Sequence, residues 1–362
     1  MQVALYGVSE GSGMMTWHVS VAMEADLLWW SRRGVRKIWM AERGDGKPFS
    51  PGQALEMREE LRMGRDGGAG LKGYWMEVTA PSHGFRWRED EYIGLMNRLE
   101  GRLLLAEELE SFIGGGPLEP WLPYIQWGAL EGRIRLRQGV EKRGEPEGVW
   151  SRWKYRFGGG RRFQGYCCVR CGAGGNLLRM AHCPLCGGPC PYCENCLIMG
   201  RSRYCTPVVQ GLVRERRRGN VAVPAGFGSR WGLSPAQEEA AGKALKFLAA
   251  PGDGTFLLWA VTGAGKTEIT FPLVERMLEA GGLVLIATPR RDVVLELAPR
   301  LREAFPGERI VTLYGGSPER WEKGSVTLAT THQLFRFREA FDLVILDEMD
   351  AFPFHGDPHL AF

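Results

Sequence analysis

The chain has 362 residues, 24% of them charged and 44% hydrophobic, with a formal net charge of +4 at pH 7. That length accommodates two or three domains with cores of their own, and no run approaches the roughly eighteen apolar residues of a membrane span. Met1-Gln2-Val3-Ala4-Leu5 lacks the basic flank and long apolar stretch of a secretory signal, so a cytoplasmic protein is expected.

Residues 1–149 are read as an N-terminal mixed domain without an assigned activity. They hold eight of the thirteen tryptophans. Trp29-Trp30, beside Arg32, Arg33, Arg36 and Lys37, admits two readings: a surface that stacks and attracts nucleic acid, or a buried aromatic pair under a solvated basic face. Burial is the favoured one. Leu95, Leu99, Leu103, Ala106, Leu109 and Ile113 recur at helical spacing and predict one amphipathic helix, stopped by Gly114-Gly115-Gly116-Pro117.

The charged, turn-rich stretch from Gly139 to Gly148 predicts a linker. Trp150, Arg152, Trp153, Lys154, Tyr155, Arg156 and Phe157 then interleave rings and cations, followed by Arg161-Arg162-Phe163. On a strand this alternation gives either a half-buried face or a stacking platform beside phosphate contacts. Residues 151–220 carry thirteen Lys or Arg against two acids, Glu194 and Glu215, while the remainder of the chain is net negative. A basic block in an otherwise acidic chain suggests a polyanionic partner.

All nine cysteines fall between Cys167 and Cys205. Without an export signal, Cys-x-x-Cys turns in one short window argue for zinc and against a disulfide framework. The preferred ligand set is Cys168, Cys171, Cys193 and Cys196, with Cys183, Cys186, Cys190 and Cys205 as a possible second site; spacing leaves the pairing open. Four thiolates leave no position for water, so the module at 150–210 is read as structural and facing nucleic acid. Residues 211–232, including Arg214-Glu215-Arg216-Arg217-Arg218, read as a linker that also touches phosphates.

From residue 233 the pattern alternates helix and strand, the signature of an α/β domain with a parallel sheet. Ser234 is a suitable N-cap for a helix running to Leu248. Phe256–Val261 predicts a buried strand leading into the phosphate loop Thr262-Gly263-Ala264-Gly265-Lys266-Thr267. There the glycines admit the main chain to the anion, Lys266 reaches the terminal phosphates and the Thr267 hydroxyl ligates Mg²⁺. Further strands are expected at 283–287, 310–313, 326–330 and 341–346. Asp347, closing the last of them, would hold Mg²⁺ while Glu348 polarises the attacking water. The catalytic set read from these residues is Lys266, Thr267, Asp347 and Glu348, with ATP and Mg²⁺ as cofactors.

Ala260 to Thr267, Ala287 to Arg300, Leu313 to Ser317, Thr330 to Leu334 and Asp347 to Phe354, together with Cys193 to Arg201, resemble the ComFA family over roughly residues 165–362. That family comprises superfamily 2 helicase-like ATPases used for DNA uptake in natural competence. The resemblance implies a RecA-like P-loop NTPase domain at 233–362. It also implies adenine recognition by Gln237 and contacts of Thr288, Arg290 and Thr331 with DNA phosphates. Single-stranded DNA, the competence channel and other uptake proteins are the implied partners, with a homo-oligomer possible and a peripheral station at the inner face of the membrane.

Such motors close ATP between two domains, and the second supplies an arginine finger. The sequence stops after the first, so the expectation is a truncated motor that binds ATP and turns it over poorly alone. Two other readings are carried. One is a PriA-like primosomal helicase, whose cysteines follow the first motor domain instead of preceding it. The other is a non-catalytic zinc-dependent DNA-binding or assembly module.

Overall fold

A computed structural model describes residues 3–9, 15–64, 71–80, 87–142, 165–214, 227–252, 254–261 and 263–348. They divide into two compact units, one formed by the chain up to Val213 together with Phe335–Arg338, the other by Arg214–Leu334 and the residues from Glu339 on.

The first unit begins with β1 (Ala4–Ser9), β2 (Met15–Ser20), α1 (Met23–Ser31), β3 (Lys37–Glu42), α2 (Pro51–Arg62) and β4 (Lys72–Glu77). The strands make an antiparallel sheet in the order β2-β1-β3-β4. Ser50 caps α2 in a reciprocal capping box with Gln53, and Pro51 sits at the first helical position, where no N–H is needed. Trp29 and Trp30 are buried. Trp30 Nε1 donates to the Tyr6 hydroxyl at 2.9 Å, and the Trp29 ring meets Trp127 edge-on, so the pair is core, as favoured.

Next come α3 (Glu89–Leu99), β5 (Leu103–Leu105), α4 (Ala106–Phe112), α5 (Leu122–Leu130) and β6 (Ile134–Gln138). The single helix expected through Leu95 to Ile113 is thus two helices with a strand between them. Gly101 turns the chain at φ +74, and Leu103–Leu105, all fully buried, pair with a strand more than a hundred residues away that local periodicity does not register. The expected stop holds, since α4 ends at Phe112 and Gly114 and Gly115 have φ +110 and +83.

The cysteine-rich segment contributes β7 (Val140–Lys142), β8 (Tyr166–Cys168), β9 (Leu178–Cys183), β10 (Gly188–Cys193) and β11 (Pro207–Gly211). Part of the linker expected at 139–148 is therefore a strand. Val140 is fully buried and β7 pairs antiparallel with β8. The aromatic and basic stretch from Trp150 to Phe163 lies outside the described residues, as do 215–226. Gly211, expected to open the linker, instead ends β11, which lies between β5 and β6. A Cβ on Gly211 would stand 2.0 Å from the Leu99 carbonyl oxygen, so only glycine fits. Residues on both sides of the boundary expected at 149/150 thus share one sheet.

A buried charge centre closes this unit. Glu108 on α4 accepts from Arg170 at 3.1 Å and from Arg336 Nε at 2.8 Å, and Arg170 donates to the carbonyls of Met199 and Phe335. Removing one member of such a buried group costs about 3–5 kcal/mol, because the others are left uncompensated.

The second unit comprises α6 (Phe227–Arg230), α7 (Pro235–Ala249), α8 (Lys266–Glu279), β12 (Val284–Thr288), α9 (Arg291–Ala304), β13 (Ile310–Leu313), β14 (Val326–Thr330) and β15 (Leu343–Leu346). Its sheet is parallel throughout, in the order β13-β14-β12-β15. Val274, Met277, Val294, Leu301, Val326 and Leu328 form its core with Phe271 and Phe305. Each fully buried aliphatic side chain contributes roughly 1.5–3 kcal/mol.

The strand expected at Phe256–Val261 does not form. The stretch has no regular structure, and Leu257, Trp259 and Val261 are exposed. An apolar run becomes a strand only where an edge accepts its N–H and C=O groups, and among the described residues β15 pairs with β12 alone.

Asp26 is fully buried and accepts from Tyr6, Ser20 and Gln126 Nε2, the last at 2.9 Å. Burial nevertheless raises its pKa to about 7. A carboxyl raised in the folded state stabilises below its unfolded value near 4, and that contribution is lost as pH rises through 7. Burial and the nearby Arg58 and Arg62 charges lower His18 to about 4, which acts in the opposite sense below pH 6.5. Comparison with Asp26→Asn isolates the carboxyl. Denaturant unfolding should show the variant gaining on the wild type by about 2–3 kcal/mol between pH 5 and pH 8, nearly all of it below pH 7.

Candidate nucleotide site and cysteine clusters

α8 feeds β12 through the turn at 280–283 and packs on the sheet, so its N-terminus stands at the carboxyl edge of the strands. Gly265, at φ +72, is its N-cap, and Gly263 has φ +78. Both need the left-handed conformation that glycine adopts without strain, and the loop they form opens onto a helix terminus whose free N–H groups attract anions. Lys266 and Thr267 occupy the first turn, half-buried. Thr262 lies outside the described residues.

Gln237 is brought against this loop. Its Nε2 donates to the Ala264 carbonyl at 2.8 Å, while its Oε1 accepts from Ser234 N–H in the capping box of α7. A Cβ on Gly265 would meet Gln237 Nε2 at 2.4 Å, a second reason for glycine there.

The carboxyl edge also gathers the other residues singled out from the sequence. Thr288 ends β12 opposite Thr330 of β14, Thr331 follows at once, and Asp347 N–H donates to the Ala287 carbonyl. Thr288 Oγ1, Thr331 Oγ1 and Glu348 Oε2 are buried atoms without a hydrogen-bond partner among the described residues. Buried polar atoms are rarely left so, and three on one edge fit a polar ligand. Glu348 itself has φ +54, a strained backbone for a residue with a side chain, and its N–H donates to Asp347 Oδ1 at 3.0 Å.

Arg290 is exposed and paired with Asp292, whose hydrogen bond and charge, with that of Glu348, raise its pKa. These groups fit Mg-nucleotide chemistry: a glycine cradle, a lysine and adjacent carboxylates. Met349 and Asp350 lie outside the described residues.

The cysteines form two groups, Cys168 with Cys171, Cys193 and Cys196, and Cys183 with Cys186, Cys190 and Cys205; within each, the sulfurs lie within 4.8 Å of one another. In the first, Cys168 and Cys196 sulfurs are 3.6 Å apart, Cys171 and Cys193 3.5 Å, and all four residues are buried. Hydrogen bonding from Cys171, Cys193 and Cys196 holds the Cys168 thiol well below its ordinary value, and hydrogen bonding with Cys168, Cys171 and Cys193 pushes the Cys196 thiol up. Thiols this close do not ionise independently, and a divalent cation would let all four be thiolates. Both groups are geometrically compatible with zinc. Cys167 belongs to neither.

Residues 88–210 match the family described as competence protein ComFA N-terminal domain. The matched segment spans α3 through most of β11, and so includes both cysteine groups and the Glu108–Arg170 contact. Residues 230–354 match the type III restriction enzyme res subunit family, a helicase-like domain.

The chain is 42% identical over 172 residues to competence protein ComFA of Bacillus subtilis (strain 168), covering 47% of this chain and 36% of that protein. It is 38% identical over 169 residues to competence protein ComFA of Streptococcus pneumoniae (strain ATCC BAA-255 / R6), covering 47% of this chain and 37% of that one. The match thus spans little more than a third of either relative. No solved structure matches the chain. Among the described residues no helix is long and apolar enough to cross a membrane.

Glu108, Arg170 and Ser50 were not singled out from the sequence. Arg170 had a visible cue, a cation inside a Cys-x-x-Cys turn, whereas Glu108 and Ser50 are ordinary helix-start residues whose partners are remote. The orphaned hydroxyls yield a prediction. Replacing Thr331 or Thr288 by Val should leave stability unchanged or raise it by about 1 kcal/mol, because an unsatisfied buried oxygen is exchanged for a methyl group. A loss above that in denaturant unfolding would show that the hydroxyl serves the fold.

Proposed function

We propose that this chain is the ATP-binding part of a DNA-stimulated translocase that moves single-stranded DNA during competence-associated uptake. The observation that carries the reading is the carboxyl edge of the parallel sheet, where a glycine cradle, Lys266 and Thr267 at the start of α8 stand with Asp347, Glu348 and two threonine hydroxyls unpartnered among the described residues. Lys266 would neutralise the terminal phosphates, and Thr267 with Asp347 would hold Mg²⁺, which supplies charge stabilisation on the transferred phosphoryl group. Glu348 would orient the attacking water, its unpaired Oε2 being the acceptor free for that proton. Gln237 would read the base from the neighbouring turn, and Thr288, Arg290 and Thr331 would hold strand phosphates, sequence-independent contacts suited to translocation.

The likeness to two proteins named competence protein ComFA supports the process assigned here, and supports as partners the DNA-uptake machinery and single-stranded DNA. The first cysteine group would hold a structural Zn²⁺: its sulfurs are close-packed and buried, with no place for a reacting water.

The deciding experiment is nucleotide and DNA binding by the purified chain, with hydrolysis measured in parallel. Mg²⁺-dependent ATP binding is expected, reduced at least tenfold in Lys266→Ala, with DNA binding that weakens steeply as salt rises. Hydrolysis should increase when single-stranded DNA is added, and the Lys266→Ala variant should lack the increase. ATP binding indifferent to Lys266, or hydrolysis indifferent to DNA, would sink the reading.

A further inference from the structure

The second cysteine group is built with as much care as the first. Cys183-Pro184-Leu185-Cys186-Gly187 repeats the turn of Cys168-Val169-Arg170-Cys171-Gly172. Gly187 has φ +71 and its N–H donates to the Cys183 carbonyl at 2.9 Å, while Gly172 has φ +72 and donates to the Cys168 carbonyl at 2.9 Å. The other two sulfurs come from elsewhere. Cys190 is held in β10 opposite Ala181 of β9, and Cys205 follows the bridge between Tyr192 and Arg203. Three strands of backbone thus converge to put four sulfurs within 4.8 Å.

What distinguishes this group is its neighbour. Ser50, the N-cap of α2, places its Oγ 3.2 Å from Cys205 Sγ and 3.9 Å from Cys186 Sγ. Tyr204, next to Cys205, packs on Gly52 so closely that a Cβ there would meet its ring at 2.3 Å, and its hydroxyl donates to Glu56 at 2.5 Å. The sulfurs therefore sit at the positive end of a twelve-residue helix, which favours the net negative charge of a four-thiolate site.

We propose that Cys183, Cys186, Cys190 and Cys205 bind a second zinc ion, that Ser50 donates its hydroxyl hydrogen to the Cys205 thiolate, and that this ion clasps the cysteine-rich segment onto α2 and is the first of the two to leave. The order of release follows from access. All four residues of the first group are buried, whereas Cys186 is partly exposed and Cys205 lines a groove of about 580 Å³ with Leu185, Arg201 and Arg203. The proposal is independent of any motor activity. Four sulfurs close the site to water, so the ion is structural.

Elemental analysis of the full chain should find two zinc ions per molecule and no iron; a single zinc, or iron, overturns the proposal. Cys186→Ser should retain one zinc, and Ser50→Ala should keep both while binding the second about tenfold more weakly, the lower end for loss of a partner to a ligand. Equal affinity in Ser50→Ala would remove Ser50 from the site.

Because Cys186→Ser also risks misfolding, the wild type provides a separate measure. Under a timed chelator challenge with a thiol-alkylating probe, Cys183, Cys186, Cys190 and Cys205 should be labelled in a first phase and Cys168, Cys171, Cys193 and Cys196 in a second. Amide exchange in α2 should speed up with the first phase. A reversed or single phase, or an α2 unaffected by the first release, would refute the clasp.

Discussion

Eight sulfur atoms gathered into two groups, each within 4.8 Å, set the terms for everything built on residues 1–213. Thiols brought so close compete for protons, and the arrangement stores repulsion wherever more than one is ionised. The surrounding structure is organised to tolerate this. Gly172 and Gly187 turn the chain so that N–H groups point back at the knuckles, Ser202 lies 3.3 Å from Cys168 Sγ, and α2 presents its N-terminus to the second group. The apolar side chains of this segment are too few to form a core unaided, so the sulfurs stand in for one.

The second unit solves a different problem by topology. Parallel strands place the end of every strand on one edge, and a helix packed between two of them brings its N–H groups to the same edge. That is why Thr288, Thr331 and Glu348, separated by up to sixty residues, become neighbours without any local signal joining them. Their unpaired oxygens and the left-handed backbone of Glu348 are the local departures from good packing that a binding edge retains.

The features legible in the sequence were those whose meaning is local. The Gly263 to Thr267 loop, the Ser234 cap and the Cys-x-x-Cys-Gly turns are each contained in a few consecutive residues. Features that depend on a remote partner were not legible. Leu103–Leu105 matched a helix period because leucine at i and i+4 occurs on either side of a break, and only pairing with β11 makes them a strand. Phe256–Val261 has the composition of a buried strand and, among the described residues, no ladder partner, so composition misled there. The cysteine spacings permitted several pairings; the β9–β10 hairpin brings Cys183 and Cys190 together and leaves Cys193 to the first group.

β11 is the middle strand of its sheet and the last of the three to be synthesised, ending roughly seventy residues after β6. At translation rates of about 5–20 residues per second, the apolar face of β6 waits about 4 to 14 seconds for its cover, and the fully buried leucines of β5 wait about 5 to 21 seconds. Every cysteine emerges within that interval. Every sulfur of both groups is therefore already on the chain before β11 can close the sheet between β5 and β6.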